Sequence, residues 1–176
     1  MAGNRAFRGG VRVPHRGARI TSPLVREAAG IVLHRPGADG AVELLLGHLG
    51  GPYWARKDAG AWTVPKGLLE AGEEPLDAAR REWREETGTE PPEGTYRALP
   101  AIRTSGKLHR LFAVEGDVDA AALASGTFEL EWPPRSGRRV AFPEIDRFAW
   151  FAAAEARVKL TRALVGLVDE VVEWRR

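Results

Sequence analysis

Residues 75–88, PLDAARREWREETG, form the segment that most restricts how this chain can fold. Pro75 suits the first turn of a helix, where no amide hydrogen bond is lost, and Gly88 suits the position after the last turn. Three apolar side chains fall on one side of that helix: Leu76, Ala79 and Trp83. The segment therefore predicts an amphipathic helix that packs one face against a core.

The same helix carries three glutamates that face away from the apolar side. Because a helix turns about 100° per residue, Glu82, Glu85 and Glu86 share one face. Like charges three and four residues apart repel each other, so the cluster needs an explanation. It can be a solvated surface, the contact for a basic partner, or a set of ligands for a divalent cation.

Apolar segments around this helix predict a sheet. The stretches 27–35 and 41–49 are separated by the turn sequence RPGADG and predict a hairpin. We expect further strands at 61–64, 96–103, 107–116 and 128–132, loops at 50–60 and 65–74, and a final helix from 153 to 174. Strands alternating with two helices predict an α/β sandwich, in which a mixed sheet lies between helical layers.

Charge separates the chain into two parts. Its 176 residues carry a net charge of +2, but residues 1–26 hold six arginines and no acid, which leaves −4 for the remainder. We expect a basic, disordered tail over 1–22 and one domain over 23–176. The chain has no cysteine, which excludes disulfides, thiolate nucleophiles and cysteine-based metal sites. No apolar run is long enough to span a bilayer, so a cytoplasmic location is expected.

The surroundings of the glutamates favour the metal explanation. Carboxylate oxygens suit Mg²⁺ or Mn²⁺, and the four histidines show no metal-ligand spacing. The loop PKGLLEAGEE precedes the helix, and its glycines allow a ligand to approach the backbone closely. Three cations lie upstream: Arg56, Lys57 and Lys66. Together these features predict metal-assisted hydrolysis of a phosphoanhydride.

The segment GLLEAGEEPLDAARREWREETGT resembles the signature of the Nudix hydrolases. The matching positions are Gly67, Glu73, Arg81, Glu82, Trp83, Glu85, Glu86 and Gly88. Thr89 stands where an aliphatic residue is usual, and that position serves packing rather than chemistry. The resemblance implies the Nudix α/β/α sandwich and a pyrophosphohydrolase.

The resemblance also implies roles for individual residues. Glu82, Glu85 and Glu86 would be the catalytic metal ligands, with Glu82 the proton acceptor for the attacking water. The backbone carbonyl of Lys66 would complete the metal shell, and two residues would pair to support the loop: Glu73 and Arg81. A fourth carboxylate often comes from a later loop, and we favour Glu144 over Glu131.

The stretch WTVPKG, residues 62–67, suggests a substrate. It resembles the opening found in the branch that hydrolyses diadenosine tetraphosphate, and diphosphoinositol phosphatases share a similar opening. Long polyanionic substrates would use several cations, and the predicted substrate-binding residues are Arg56, Lys57, Lys66, Gly67, Tyr53 and Trp54. Lys107 is a further available cation, Trp132 is another candidate for base stacking, and His48 is a candidate strand-end residue near the site.

Several alternatives stay open. The substrate can be a nucleoside triphosphate, ADP-ribose or a nucleotide sugar instead of a dinucleoside polyphosphate. A Nudix-like sensor would bind a nucleotide without cutting it, although such proteins commonly lose the glutamates that are present here. We expect a small nucleotide partner, no membrane and no nucleic acid, while the basic tail leaves contact with RNA open. The sequence does not specify the oligomeric state.

Overall fold

The computed structural model describes residues 26–104 and 106–175, so the predicted tail over 1–22 lies outside the described residues. The strands are β1 (Arg26–Pro36), β2 (Val42–Leu49), β3 (Trp62–Thr63), β4 (Lys66–Leu68), β5 (Arg97–Ala98), β6 (Ile102–Thr104), β7 (Lys107–Glu115), β8 (Thr127–Glu131), β9 (Arg139–Pro143) and β10 (Ile145–Ala152). The helices are α1 (Pro75–Thr87), α2 (Ala153–Lys159) and α3 (Leu167–Trp174), with 3₁₀ turns at Ala120–Ala122 and Arg162–Leu164.

Strand β1 lies inside a mixed sheet of eight strands. The main order is β10–β2–β1–β7–β5, and the short strands β3, β4 and β6 pair with β2, β1 and β7. Strand β1 runs parallel to β7 and antiparallel to its other two neighbours. Those two neighbours divide it, since β4 pairs with residues 28–30 and β2 pairs with residues 34–36. The predicted mixed sheet is therefore confirmed.

Helices cover both faces of this sheet. On one face α1 packs Ala78, Ala79 and Trp83 against strand residues that include Ile31 and Leu45. On the other face the C-terminal segments pack against a second group of buried strand residues, including Val32, Leu44 and Leu111. Because apolar residues alternate along β1, each face buries every second side chain. The predicted α/β/α sandwich is confirmed.

Helix α1 begins and ends where its sequence indicates. Pro75 occupies the first turn, and Gly88 follows the helix with φ 70°, where its N–H donates to the carbonyl of Arg84 at 2.9 Å. This left-handed conformation suits glycine because it has no Cβ. The ends of α1 fix the position of its glutamates relative to the preceding loop.

The prediction of one final helix over 153–174 is wrong. The chain leaves helical geometry at Leu160, which has φ −61° and ψ 145° and forms a bridge with Trp62. The N–H of Thr161 donates to the Trp62 carbonyl at 2.8 Å. This N–H is therefore not available for the hydrogen bond to an earlier carbonyl that a continuous helix would need. Helix α2, the 3₁₀ turn and α3 all face the same core, which explains why the apolar spacing resembles one helix.

Two local predictions also need correction. The segment 65–74 is not wholly loop, because β4 pairs with β1. The strand expected at 128–132 lies outside the main sheet, because β8 pairs with β9 in a separate two-stranded ribbon, here called the β8–β9 ribbon. Separately, no helix in the described part of the chain has the length and apolar character needed to cross a membrane.

Candidate active site on helix α1

The three glutamates of α1 lie in different environments. Glu82 is only 8% exposed, Glu86 is half-buried, and Glu85 is exposed. Glu82 lies against Gly67 of β4 so closely that a Cβ added to this glycine would overlap its carboxylate. Gly67 is therefore required by the close approach of the strand to the helix, and the approach buries an acidic side chain.

Arg81 joins the loop, the strand and the helix. Its guanidinium donates to both carboxylate oxygens of Glu73 at 2.9 and 2.8 Å, and to the Leu68 carbonyl at 2.9 Å. A fourth nitrogen–oxygen contact, of 2.8 Å, reaches Oε1 of Glu82. The hydrogen bonds from Arg81 to Glu73 lower the pKa of Glu73 to about 2, and the N–H of Glu70, which donates to the same carboxylate, also lowers it. The structure thus brings together the predicted supporting pair.

Glu86 contacts the backbone of β4. Its Oε2 accepts the N–H of Lys66 at 2.9 Å. Burial raises the pKa of Glu86 to about 8 against the opposing charge of Lys66, and the negative charges of Glu144 and Glu82 raise it further. Burial likewise raises the pKa of Glu82, although Arg81 opposes this. The site holds acidic groups whose negative charge is only partly compensated.

Glu144 is the later carboxylate that lies near this cluster. Its charge affects the pKa values of Glu82, Glu86 and Lys66. Its backbone is held on both sides, since its carbonyl accepts the N–H of Gly50 at 2.9 Å and its N–H donates to Gly126 at 3.0 Å. Glu131 instead accepts the N–H of Gly137 at 2.8 Å, within the turn of the β8–β9 ribbon. The structure brings Glu144 to the site and leaves Glu131 in the ribbon.

The acidic side chains do not yet converge on a single point. Among the described residues, no group of three or more histidine, aspartate or glutamate side chains is close enough to hold a metal ion. The reason is visible in the hydrogen bonds, because Glu86 is turned toward the Lys66 amide while Glu82 and Glu85 are turned toward Arg81. Carboxylate oxygens are ligands that Mg²⁺ and Mn²⁺ prefer. A bound cation would stabilise the charged forms of Glu82 and Glu86, whose pKa values are raised.

Four of the predicted substrate residues lie on the loop before β3, namely Tyr53, Trp54, Arg56 and Lys57, whereas Lys66 and Gly67 belong to β4. Arg56 and Lys57 are exposed, and the ammonium of Lys57 lies 4.6 Å from the centre of the Trp54 ring. Tyr53 is 56% exposed, and its ring is 5.4 Å from that of Trp132 in an edge-to-face arrangement. No hydrogen bond or ion pair between described residues links these side chains to the glutamates of α1. Two of the aromatic candidates, Tyr53 and Trp132, do contact each other.

Sequence reasoning missed the network that anchors this loop. His48 is fully buried, its Nε2 donates to the Lys57 carbonyl at 2.7 Å, and its Nδ1 lies 2.8 Å from Asp146. Trp62 adds a hydrogen bond to Asp58 at 2.9 Å. The sequence predicts His48 near the end of a strand, but no local pattern points to Asp146, which is 98 residues away.

Comparison with known proteins identifies the class. A family model described as NUDIX domain matches residues 24–174. That match covers most of the chain, so the chain belongs to the Nudix family. It is accordingly a pyrophosphohydrolase, an enzyme that acts on phosphorus-containing acid anhydrides, and Nudix hydrolases generally need a divalent metal ion.

Several solved structures share this fold. The C. elegans Ap4A hydrolase, solved as a binary complex, is 22% identical with a TM-score of 0.56, covering 85% of this chain and 97% of that one. The NUDIX domain of Shewanella oneidensis NrtR, complexed with ADP ribose, is 14% identical with a TM-score of 0.58, covering 85% and 88%. The E. coli ORF135 protein is 23% identical with a TM-score of 0.54, covering 85% and 90%. These likenesses concern the fold and do not select a substrate.

Proposed function

We propose that this Nudix enzyme hydrolyses a phosphoanhydride in a nucleoside diphosphate linked to another group, with a dinucleoside polyphosphate as preferred substrate. The observation that carries the proposal is the buried carboxylate of Glu82 beside the half-buried carboxylate of Glu86, with Glu144 close enough to influence both. Burying acidic groups beside one another is unfavourable unless a cation joins them. A phosphate-bound divalent ion meets that requirement.

Five groups would hold Mg²⁺ or Mn²⁺: the carboxylates of Glu82, Glu85, Glu86 and Glu144 and the carbonyl of Lys66. A bound ion neutralises phosphate charge and lowers the pKa of water. Glu82 accepts the proton of the attacking water, and Arg81 keeps its carboxylate oriented through the 2.8 Å contact. Glu73 holds Arg81 in turn, so it acts on the chemistry only through this contact.

The substrate assignment is supported by the stretch WTVPKG and by the loop before β3. The stretch WTVPKG precedes the helix, and Lys66 and Gly67 within it contact Glu86 and Glu82 directly. Arg56 and Lys57 supply positive charge for a long phosphate chain. The exposed ring of Tyr53 beside Trp132, with Trp54 nearby in the loop, supplies a surface on which a base can stack.

Other substrates of the same chemistry are the alternatives. ADP-ribose is one alternative, and a NUDIX domain of the same fold has been solved in complex with it. Nucleoside triphosphates and diphosphoinositol phosphates are further alternatives. All of them use the same carboxylates or the same loop, so only a direct comparison of substrates separates them.

A substrate panel tests the proposal. The protein with Mg²⁺ is incubated separately with diadenosine tetraphosphate, ADP-ribose, nucleoside triphosphates, a diphosphoinositol phosphate and capped RNA, and the products are separated by chromatography. We expect ATP and AMP from the dinucleotide as the fastest reaction. Faster turnover of another compound would refute the substrate assignment, and so would the absence of turnover of the dinucleotide.

The metal assignment has its own test. Millimolar Mg²⁺ or Mn²⁺ should raise the melting temperature, because an ion that binds only the folded state stabilises it. The double variant Glu85→Gln with Glu86→Gln should lose both the rise and the activity while remaining folded. Glu93→Gln is the matched control, since Glu93 is an exposed acid outside the site. An unchanged metal response in the double variant would contradict the assignment.

A further inference from the structure

Residues 124–126, here called the bridge segment, lie against the last turn of α1. The N–H of Ala124 donates to the Thr87 carbonyl at 3.0 Å, and the N–H of Gly126 donates to the Glu85 carbonyl at 3.2 Å. The last carbonyls of a helix have no partner within the helix, so they need partners from outside it. The bridge segment supplies two of these partners. It is thereby fixed to the turn of α1 that carries two of the glutamates of the site.

The bridge segment also contacts the start of β10. The Gly126 carbonyl accepts the N–H of Glu144 at 3.0 Å. The Ser125 hydroxyl accepts the N–H of Ile145 at 2.9 Å. The same hydroxyl lies 3.0 Å from the Ile145 carbonyl and 2.8 Å from the Gly126 carbonyl, and its single proton is donated to one of these two oxygens. One side chain therefore contacts both the N–H and the carbonyl of the residue that follows Glu144.

These contacts connect two parts of the acidic site that lie far apart in the chain. Glu85 and Glu86 belong to α1, whereas Glu144 directly precedes β10. The N–H of Gly50 also holds the Glu144 carbonyl, but this contact connects Glu144 to the end of β2 and not to α1. The bridge segment forms hydrogen bonds with both α1 and the start of β10. It therefore determines how close Glu144 lies to the last turn of the helix.

Negative charge opposes the position of Glu144. Besides burial, which is the larger cause, the charge of Glu144 raises the pKa values of Glu86 and Glu82. The C-terminal end of a helix is the negative end of its dipole, where further acidic groups are unfavourable. Arg84 is the basic residue of the last turn, and its guanidinium pairs with Glu90 at 2.8 Å. The backbone contacts of the bridge segment thus hold a carboxylate where like charges repel it.

We infer that Ser125 is a positioning residue for the metal site, which keeps Glu144 close enough to the last turn of α1 for their carboxylates to bind a divalent cation together. The hydroxyl acts through the backbone of Glu144 and Ile145 rather than as a ligand. Its removal would leave the N–H of Ile145 without this partner and would allow the start of β10 to move away from the helix. The inference rests on the proposed function, because it takes Glu144 to be a metal ligand.

Binding of Mn²⁺ to the full-length protein without substrate tests this role, with free Mn²⁺ measured by electron paramagnetic resonance. We expect Ser125→Ala to weaken Mn²⁺ binding by about tenfold, since loss of a group that orients a metal ligand typically has an effect of this size. Ser125→Thr retains the hydroxyl and should bind within about twofold of the parent. Ser136→Ala is the matched control, because its hydroxyl also accepts a backbone N–H, that of Arg138, in the exposed turn of the β8–β9 ribbon. This control should bind Mn²⁺ as the parent does.

A cycle of variants with Glu144→Gln separates this inference from the metal assignment. If Ser125 acts through Glu144, Ser125→Ala should weaken Mn²⁺ binding in the parent and have little further effect in the Glu144→Gln background. Unchanged Mn²⁺ binding in Ser125→Ala, or equal weakening in both backgrounds, would overturn the inference alone. Unchanged binding in Glu144→Gln would refute the place of Glu144 in the proposed site, and the inference with it. Hydrolysis is not measured, so the result is independent of the substrate panel.

Circular dichroism of each variant without metal shows whether it is folded. If Ser125→Ala does not fold, Ser125→Cys takes its place, because a thiol is similar in size to the hydroxyl and forms only weak hydrogen bonds. The same weakening of Mn²⁺ binding is then expected. A folded Ser125→Cys variant that binds Mn²⁺ as tightly as the parent would overturn the inference.

Discussion

His34 should make the protein less stable as the pH falls. The side chain is fully buried in β1, and neither ring nitrogen has a hydrogen-bond partner among the described residues. The Trp174 ring lies 5.0 Å away in an edge-to-face arrangement. Burial lowers the pKa of His34 from 6.5 to about 4, with a smaller contribution from Arg175 and partial opposition from Glu115.

The direction of the pH effect depends on whether the folded or the unfolded state binds a proton on His34 more tightly. Below pH 6.5 the unfolded chain takes up a proton on His34, whereas the folded chain does so only near pH 4. Between those values the unfolded state holds more protons, so lowering the pH favours unfolding. The loss amounts to about 2 kcal/mol at pH 5 and approaches about 3 kcal/mol below pH 4.

The variant His34→Leu isolates this contribution from that of other titrating groups. Urea unfolding of both proteins at pH 7 and pH 5, followed by circular dichroism, gives the free energy of unfolding at each pH. We expect the leucine variant to gain about 2 kcal/mol relative to the parent on going from pH 7 to pH 5. At pH 7 the variant should be similar or slightly more stable, because an unpaired buried polar ring is removed. Parallel pH profiles for the two proteins would refute the reasoning.

Two further substitutions test contacts at the site. Gly67→Ala places a Cβ where the Glu82 carboxylate lies, so turnover should fall about a hundredfold, while Gly166→Ala, which meets open space, should leave kcat unchanged. Equal activity of both variants would contradict the role given to Glu82. Asp146→Asn weakens the charged partner of His48 at 2.8 Å and should lower the free energy of unfolding by about 1–3 kcal/mol, measured in urea. An unchanged urea midpoint would show that the contact contributes nothing.

Local signals explain the parts of the fold that the sequence predicts well. Helix α1 has a proline at its start, a left-handed glycine after its end and apolar residues at regular spacing, so all its determinants lie within the segment. The C-terminal segment has equally regular spacing, yet it breaks at Leu160. That break depends on a backbone hydrogen bond to Trp62, and periodicity contains no information about a distant partner.

The residues of the candidate site likewise divide into those that a local pattern predicts and those whose position depends on distant contacts. Glu82, Glu85 and Glu86 are predictable because their spacing on one helix places them on one face. Glu144 could be proposed from its order in the chain, but its proximity depends on contacts with Gly50 and Gly126. The contact between His48 and Asp146 could not be predicted, because it joins residues that are 98 positions apart in the chain.

The β8–β9 ribbon has a consequence for how such a protein can vary in length. Its strands pair with each other from Thr127–Pro143 at one end to Glu131–Arg139 at the other, and not with the main sheet. Removing two residues from each strand would preserve which way the remaining side chains point and would retract the ribbon's turn by about 7 Å. Glu144 would stay in place, since Gly50 holds it. The length of the ribbon can therefore change without displacing the acidic site.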